Sequence, residues 1–231
     1  MTDPTKYAML ITSLPYLKPV FPDKSLPISK IQFEKRLALL SDEDSKAFDL
    51  IQKIVHWDYM PLERKDTEIV EYAQERMTEL HGTIRDIVQW RLNLRTVMAA
   101  LRRRQRGFDV PDKNEKWGFN HLVDHIVRHW NEPDFGLSRQ YPWIQQARDL
   151  LAKPDFLSLE RLILTVVWDY LTKASQNHYF DFEAVVLYVL RWNILERWIG
   201  YDSGEALKRF DELVDEGLKN AKDVLAIVSY S

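Results

Sequence analysis

An all-α fold, a multi-helix bundle, is predicted by three features of the chain. Apolar residues recur at spacings of three and four over most of its length, no stretch sustains the period-two alternation of a strand, and several helical runs open on Ser or Asp caps. The 231 residues, 45% hydrophobic and 29% charged, suffice for a good-sized core. A single helical domain over 1–231 is expected, built as two similar sub-bundles at 1–107 and 119–231 joined by a linker at 108–118.

The elements follow in order. Tyr7-Ala-Met-Leu-Ile11 is a short apolar run that fits a strand or a buried helical turn equally. Between 13 and 28, Pro15, Pro19, Pro22 and Pro27 forbid helix and central strand alike, so an extended proline-rich N-terminal segment is expected. Ser29 and Gln32 form a capping-box pattern ahead of Phe33, Leu37 and Leu40. Ser41-Asp-Glu-Asp44 then starts a helix bearing Leu50, Ile51, Ile54 and Val55, and Pro61 punctuates the chain.

A long helical pattern runs from Thr67 to Arg106. Leu80, Ile84, Ile87, Arg91, Leu94, Met98 and Leu101 alternate spacings of four and three, which places them on one seam with a single cation in it. Unbroken, such a helix would span about 60 Å. Gly82 is the expected bend or break, and Gly107 the left-handed residue after the last turn. Residues 107–118 and 131–142 hold the glycines and prolines of loops. Helices are expected at 119–130, 142–152, 156–173 and 182–199, with Asp181 capping the last, and an amphipathic helix from near Gly204. The helix from Phe182 to Ile199 is apolar round most of its circumference and belongs near the centre of the bundle.

Composition removes several functions. Cysteine is absent, so no disulfide, thiolate metal site or cysteine nucleophile exists, which fits a reducing cytoplasm. The formal net charge of −3 is not that of a general polyanion binder. The N-terminal residues lack a secretory pattern, and the longest apolar run, Ala184 to Leu190, falls far short of the ~18 residues of a membrane span. Only 7 glycines occur, with neither a dinucleotide nor a P-loop fingerprint. No Gly-x-Ser-x-Gly and no evident nucleophile–base pair marks an enzyme. No cofactor and no small-molecule substrate are expected.

Three constellations stand out. The first is Arg102, Arg103, Arg104 and Arg106, directly ahead of Gly107. Cations favour a helix C-terminus by about 0.3–1 kcal/mol each. Four within five residues repel one another and spread round the helix, so an acidic partner is expected to receive them. Few aromatic platforms lie nearby, which favours an acidic protein surface over a nucleic acid. The second is a repeated Arg-x-Asn-apolar motif: Arg91, Asn93 and Arg95 in the long helix, and Arg191, Asn193, Glu196 and Arg197 in the later one. These residues are expected to knit neighbouring helices by hydrogen bonds, since a buried charge must be paired. The third is His121, His125 and His129 at i, i+4, i+8, where two imidazoles offer a metal geometry but also sit on the ordinary edge of an apolar face.

The opening Tyr7-Ala-Met-Leu-Ile-Thr-Ser-Leu-Pro15, with Leu26-Pro-Ile-Ser29, Leu40-Ser-Asp-Glu-Asp44 and Asn93-Leu-Arg-Thr-Val-Met-Ala-Ala-Leu-Arg-Arg-Arg-Gln-Arg-Gly107, resembles a small bacterial family of unassigned function whose members accompany V-type ATPase operons. More distantly, these residues and the Phe180 to Arg191 stretch are similar to the C-type central-stalk component of V/A-type ATPases, whose eukaryotic counterpart is designated d. The resemblance covers most of the chain and implies a non-catalytic helical subunit or assembly factor that couples the central stalk to the membrane rotor ring. Its partners would be other V-type ATPase subunits, with the protein cytoplasmic or peripheral at the inner membrane through that complex. The chain is shorter than that stalk component by about one sub-bundle, and carries Arg191-Trp-Asn-Ile-Leu-Glu-Arg197 where the latter has Glu-x-Glu-Ile-x-Asn-Leu-Arg. The alternatives are a metal-binding protein or enzyme built on the histidine stripe, and a nucleic-acid-binding regulator built on the arginines.

Overall fold

The computed structural model describes residues 5–18, 25–55, 66–112, 115–119, 122–153 and 155–202. These residues form helices and the turns and extended segments between them, with no strand among them. In chain order the helices are α1 (Ala8–Thr12), α2 (Lys30–Leu37), α3 (Asp42–Val55), α4 (Asp66–Arg76), α5 (Gly82–Gln105), α6 (Leu122–Arg128), α7 (Ile144–Leu151), α8 (Phe156–Ala174) and α9 (Phe182–Asp202). Single 3₁₀ turns follow α4 at Met77–Glu79 and α8 at Ser175–Asn177. The helix expected from near Gly204 lies outside the described residues.

The ambiguous opening run is helical rather than extended. Tyr7 directs its N–H to the Phe180 carbonyl at 2.8 Å, and its hydroxyl bonds to Asp44 and Ser41, so the turn is anchored by distant groups. The described ends of the proline-bearing segment are pinned to α9, and its middle, with Pro19 and Pro22, lies outside the described residues: Tyr188 donates to the Pro15 carbonyl at 2.7 Å and the Trp192 indole to the Ile28 carbonyl at 3.2 Å. Phe33 packs its ring 4.9 Å from that of Trp192, closing α2 over the same helix. The expected caps are present, Ser29 accepting from the Gln32 N–H at 3.4 Å and Asp181 from the Ala184 N–H at 2.9 Å.

The long pattern from Thr67 is broken, as Gly82 suggested. Leu80 and His81 are extended and Gly82 takes φ +54°, so α4 and α5 are separate helices. The seam itself holds: Leu80, Ile84, Ile87, Leu94, Met98 and Leu101 are all buried, with Arg91 only partly so. α5 packs against α3, α6, α7, α8 and α9, which makes it the axis of the bundle. The apolar α9 is buried without interruption from Ala184 to Leu190. One continuous apolar core joins residues from Tyr7 to Leu195 through both halves of the chain.

Among the described residues, those between Phe108 and Trp117 form no helix, and the end of this segment is fixed in the core. Trp117 and Phe119 are buried, and the Phe119 N–H donates at 2.8 Å to Thr96 Oγ, which itself donates to the Leu92 carbonyl at 2.9 Å. Gly118 permits that approach: a Cβ there would lie 2.6 Å from the Thr96 methyl. Thr96→Val keeps the shape and removes the acceptor, leaving a buried N–H without a partner. We expect a loss of about 1–3 kcal/mol in urea unfolding.

Candidate functional site: the cationic end of α5

The helix ends as Gly107 requires. Gly107 adopts φ +77°, its N–H reaches the Arg104 carbonyl at 3.0 Å, and the Phe108 N–H reaches the Arg103 carbonyl at 3.1 Å. This pair of bonds is a Schellman closure. At about 100° per residue the four arginines leave it in different directions.

Arg103 turns toward the linker and binds Glu115 through both carboxylate oxygens, at 2.6 and 2.9 Å. Its guanidinium also lies 5.9 Å from the ring centres of Phe108 and Trp117. Arg104 turns the other way, toward the loop after α6. It donates to the carbonyls of Trp130 at 3.2 Å, Glu132 at 2.5 Å and Pro133, and stands 4.2 Å over the Phe135 ring. Burial lowers its pKa, and neighbouring Arg148 lowers it further against a smaller opposing effect of Asp134. Arg102 and Arg106 are exposed. The four cations expected to meet a partner together therefore differ in exposure, Arg103 and Arg104 being half-buried against the loops and Arg102 and Arg106 exposed.

The loop held by Arg104 is tightly determined. Phe135 is fully buried at φ +55°, a left-handed conformation rarely adopted by a bulky residue, and Gly136 follows at φ +67°. His125 donates from Nε2 to the Phe135 carbonyl at 3.0 Å, and His129 Nδ1 lies 2.8 Å from Glu132. The two imidazoles pack with centres 4.4 Å apart. Both described histidines of the stripe thus bind the loop, while His121 lies outside the described residues. A cleft of about 410 Å³ opens beside it, bordered by Asn93, His125, Arg139 and Tyr141.

The Arg/Asn motifs meet through Glu160, a residue that neither copy of the motif contains. Arg197 on α9 donates at 2.5 Å to Glu160 on α8, and Arg91 on α5 lies in the field of both. Burial pushes the Arg91 pKa down to about 10, the Arg197 charge adds to this, and Glu160 partly opposes it. Arg91 also donates to the Val55 carbonyl at 3.4 Å. Glu160 precedes the buried Ile163, Leu164 and Val167 by three, four and seven residues, so a carboxylate on an apolar stripe was the available signal. Arg95 and Glu196 are half-buried on α5 and α9. Asn93 hydrogen-bonds Tyr141, yet its buried Oδ1 has no partner, nor has Nδ2 of Asn193. Arg191 stands apart from this cluster, its guanidinium 6.0 Å from the Trp168 ring centre.

Among the described residues, the metal-ligand types that converge are His178, Asp181 and Glu183, within 4.8 Å of one another. His178 Nδ1 is 2.6 Å from Asp181 and its Nε2 is 3.0 Å from the Thr83 hydroxyl, while the other Asp181 oxygen caps α9. The arrangement ties the start of α5 to the start of α9. No described helix is long and apolar enough to cross a membrane.

No curated protein and no solved structure matches the chain. A family model does match residues 61–221, which include α4 to α9 and the whole arginine end. With more than half of the chain covered, the protein belongs to this family, described as a protein of unknown function (DUF2764).

Proposed function

We propose that this protein is a non-catalytic helical subunit or assembly factor of a bacterial V-type ATPase, and that it docks an acidic polypeptide of that complex on the end of α5. The V-type ATPase assignment rests on the sequence resemblance. The docking surface rests on one observation: Arg102 and Arg106 are exposed on a helix end fastened on both flanks, by Arg103 to Glu115 and by Arg104 to the carbonyls of Trp130, Glu132 and Pro133. A fixed pair of cations meets its partner with less ordering to lose than the same charges on a mobile tail. In this role the protein couples the central stalk to the rotor ring, reaching the inner membrane only through its partners.

Substituting both exposed residues, Arg102→Gln with Arg106→Gln, is expected to reduce recovery of central-stalk subunits in a tagged pull-down from the native host. The loss should be about tenfold in affinity at low salt and shrink as salt rises. Unchanged recovery from a normally helical variant rejects the docking surface. Recovery of no ATPase subunit by the unmodified chain rejects the assignment.

A further inference from the structure

Among the described residues, Arg191 is a largely buried cation without a counter-charge. Its Nε donates at 3.3 Å to Leu187, a carbonyl of its own helix, and no described carboxylate lies within ion-pair distance of it. Other arginines of the bundle have one: Arg103 has Glu115 and Arg197 has Glu160. Burial lowers the Arg191 pKa, with only the phenols of Tyr188 and Tyr16 acting the other way. Desolvating a guanidinium without an anion is costly, so a fold that retains one here offers a place for an anion to bind.

The surroundings define that anion. Arg191 lines a cleft of about 290 Å³ whose other walls include Ile11, Tyr179, Phe180 and Tyr188. These are apolar and aromatic surfaces, and Tyr179 is 67% exposed at the rim. The cleft is small, near the lower bound for ligand sites, so its occupant is a compact molecule. His178 also lines it but is held by Asp181 and Thr83. The Asp181 and Glu183 carboxylates gathered at His178 would repel a second negative charge, which limits the ligand to one.

We propose that this cleft binds a small organic monocarboxylate, its carboxylate paired with Arg191 and its ring or short apolar body against Tyr179 and Tyr188. The site is separate in residues from the α5 end and does not depend on the docking role. The test uses phenylacetate, benzoate and hexanoate as probes, with phenylacetamide as a neutral control. At a hundredfold excess over Kd, a binding carboxylate should raise the Tm of the full chain by about 5 °C or more. Phenylacetamide should give no shift, and Arg191→Met should abolish the response. Without ligand, Arg191→Met should leave the urea midpoint unchanged or raise it, whereas Arg197→Met, which takes from the partly buried Glu160 its hydrogen-bonded partner, should lower it. The site is overturned if none of the three carboxylates shifts the Tm, if the shift persists in Arg191→Met, if phenylacetamide shifts it equally, or if Arg191→Met destabilises the free chain as much as Arg197→Met.

Discussion

Glu160→Ala is expected to destabilise the protein by about 2–4 kcal/mol, a large effect for the loss of one surface-proximal carboxylate. The reason is what it leaves behind. Arg197, about a quarter exposed, loses the bond at 2.5 Å, and the more deeply buried Arg91 loses the anion that opposes its neighbour's charge. Two cations from α5 and α9 then face each other across a gap in α8. Breaking a buried pair by removing one partner costs more than the pair's net contribution, because the survivor stays desolvated. Urea unfolding should therefore show Glu160→Ala as more damaging than Arg197→Ala, which leaves Arg91 to accompany Glu160. The double variant should fall short of the summed losses by about 1–3 kcal/mol. Equal single losses that add would show that the three groups do not act as one cluster.

Phe135→Ala is expected to cost about 3–5 kcal/mol, the range for deleting a fully buried aromatic ring. That ring is the floor under the Arg104 guanidinium at 4.2 Å and packs 5.6 Å from the ring centre of Trp130. Removing it opens a cavity and loosens the cation that gathers the loop carbonyls. The backbone makes the result more specific. Phe135 sits at φ +55°, where a Cβ is unfavourable by about 1–2 kcal/mol and glycine is not penalised in this way. Phe135→Gly should consequently be the milder of the two variants by about 1 kcal/mol, the reverse of the order in a helix. Thermal melts give the ranking, and amide exchange over 130–137 should accelerate in both. A glycine variant less stable than the alanine one would remove the strain argument.

The chain announces its helices more clearly than its contacts. The all-α architecture, the buried seam of α5 and the left-handed Gly107 follow from periodicity and from the steric freedom of glycine, which are local properties. The break before α5 is local too, since Gly82 marks it. The use of the arginines is not local. Arg104 is bound by the backbone carbonyls of Trp130, Glu132 and Pro133, groups that every residue carries and no residue letter displays. Glu115 could have been matched to Arg103 only by knowing that the linker doubles back along α5. Thr96 gives a similar lesson, because its place on the helix says nothing of the Phe119 N–H it receives. The repeated Arg-x-Asn motif is the converse case. Its two copies look alike as strings, yet Arg91 joins an ionic cluster and Arg191 faces an open cleft, since each helix meets different neighbours.

The two bonds that tie Pro15 and Ile28 to α9 set an order of events during synthesis. Pro15 waits for a hydroxyl 173 residues downstream and Ile28 for an indole 164 residues downstream. At the ribosome's pace of about 5–20 residues per second, those two carbonyls stay uncovered for roughly ten seconds or more before α9 emerges to receive them. A segment made well before α9 is thus among the last to settle, and the interval is long enough for a nascent-chain chaperone to hold Leu17 and Ile28 before they enter the core.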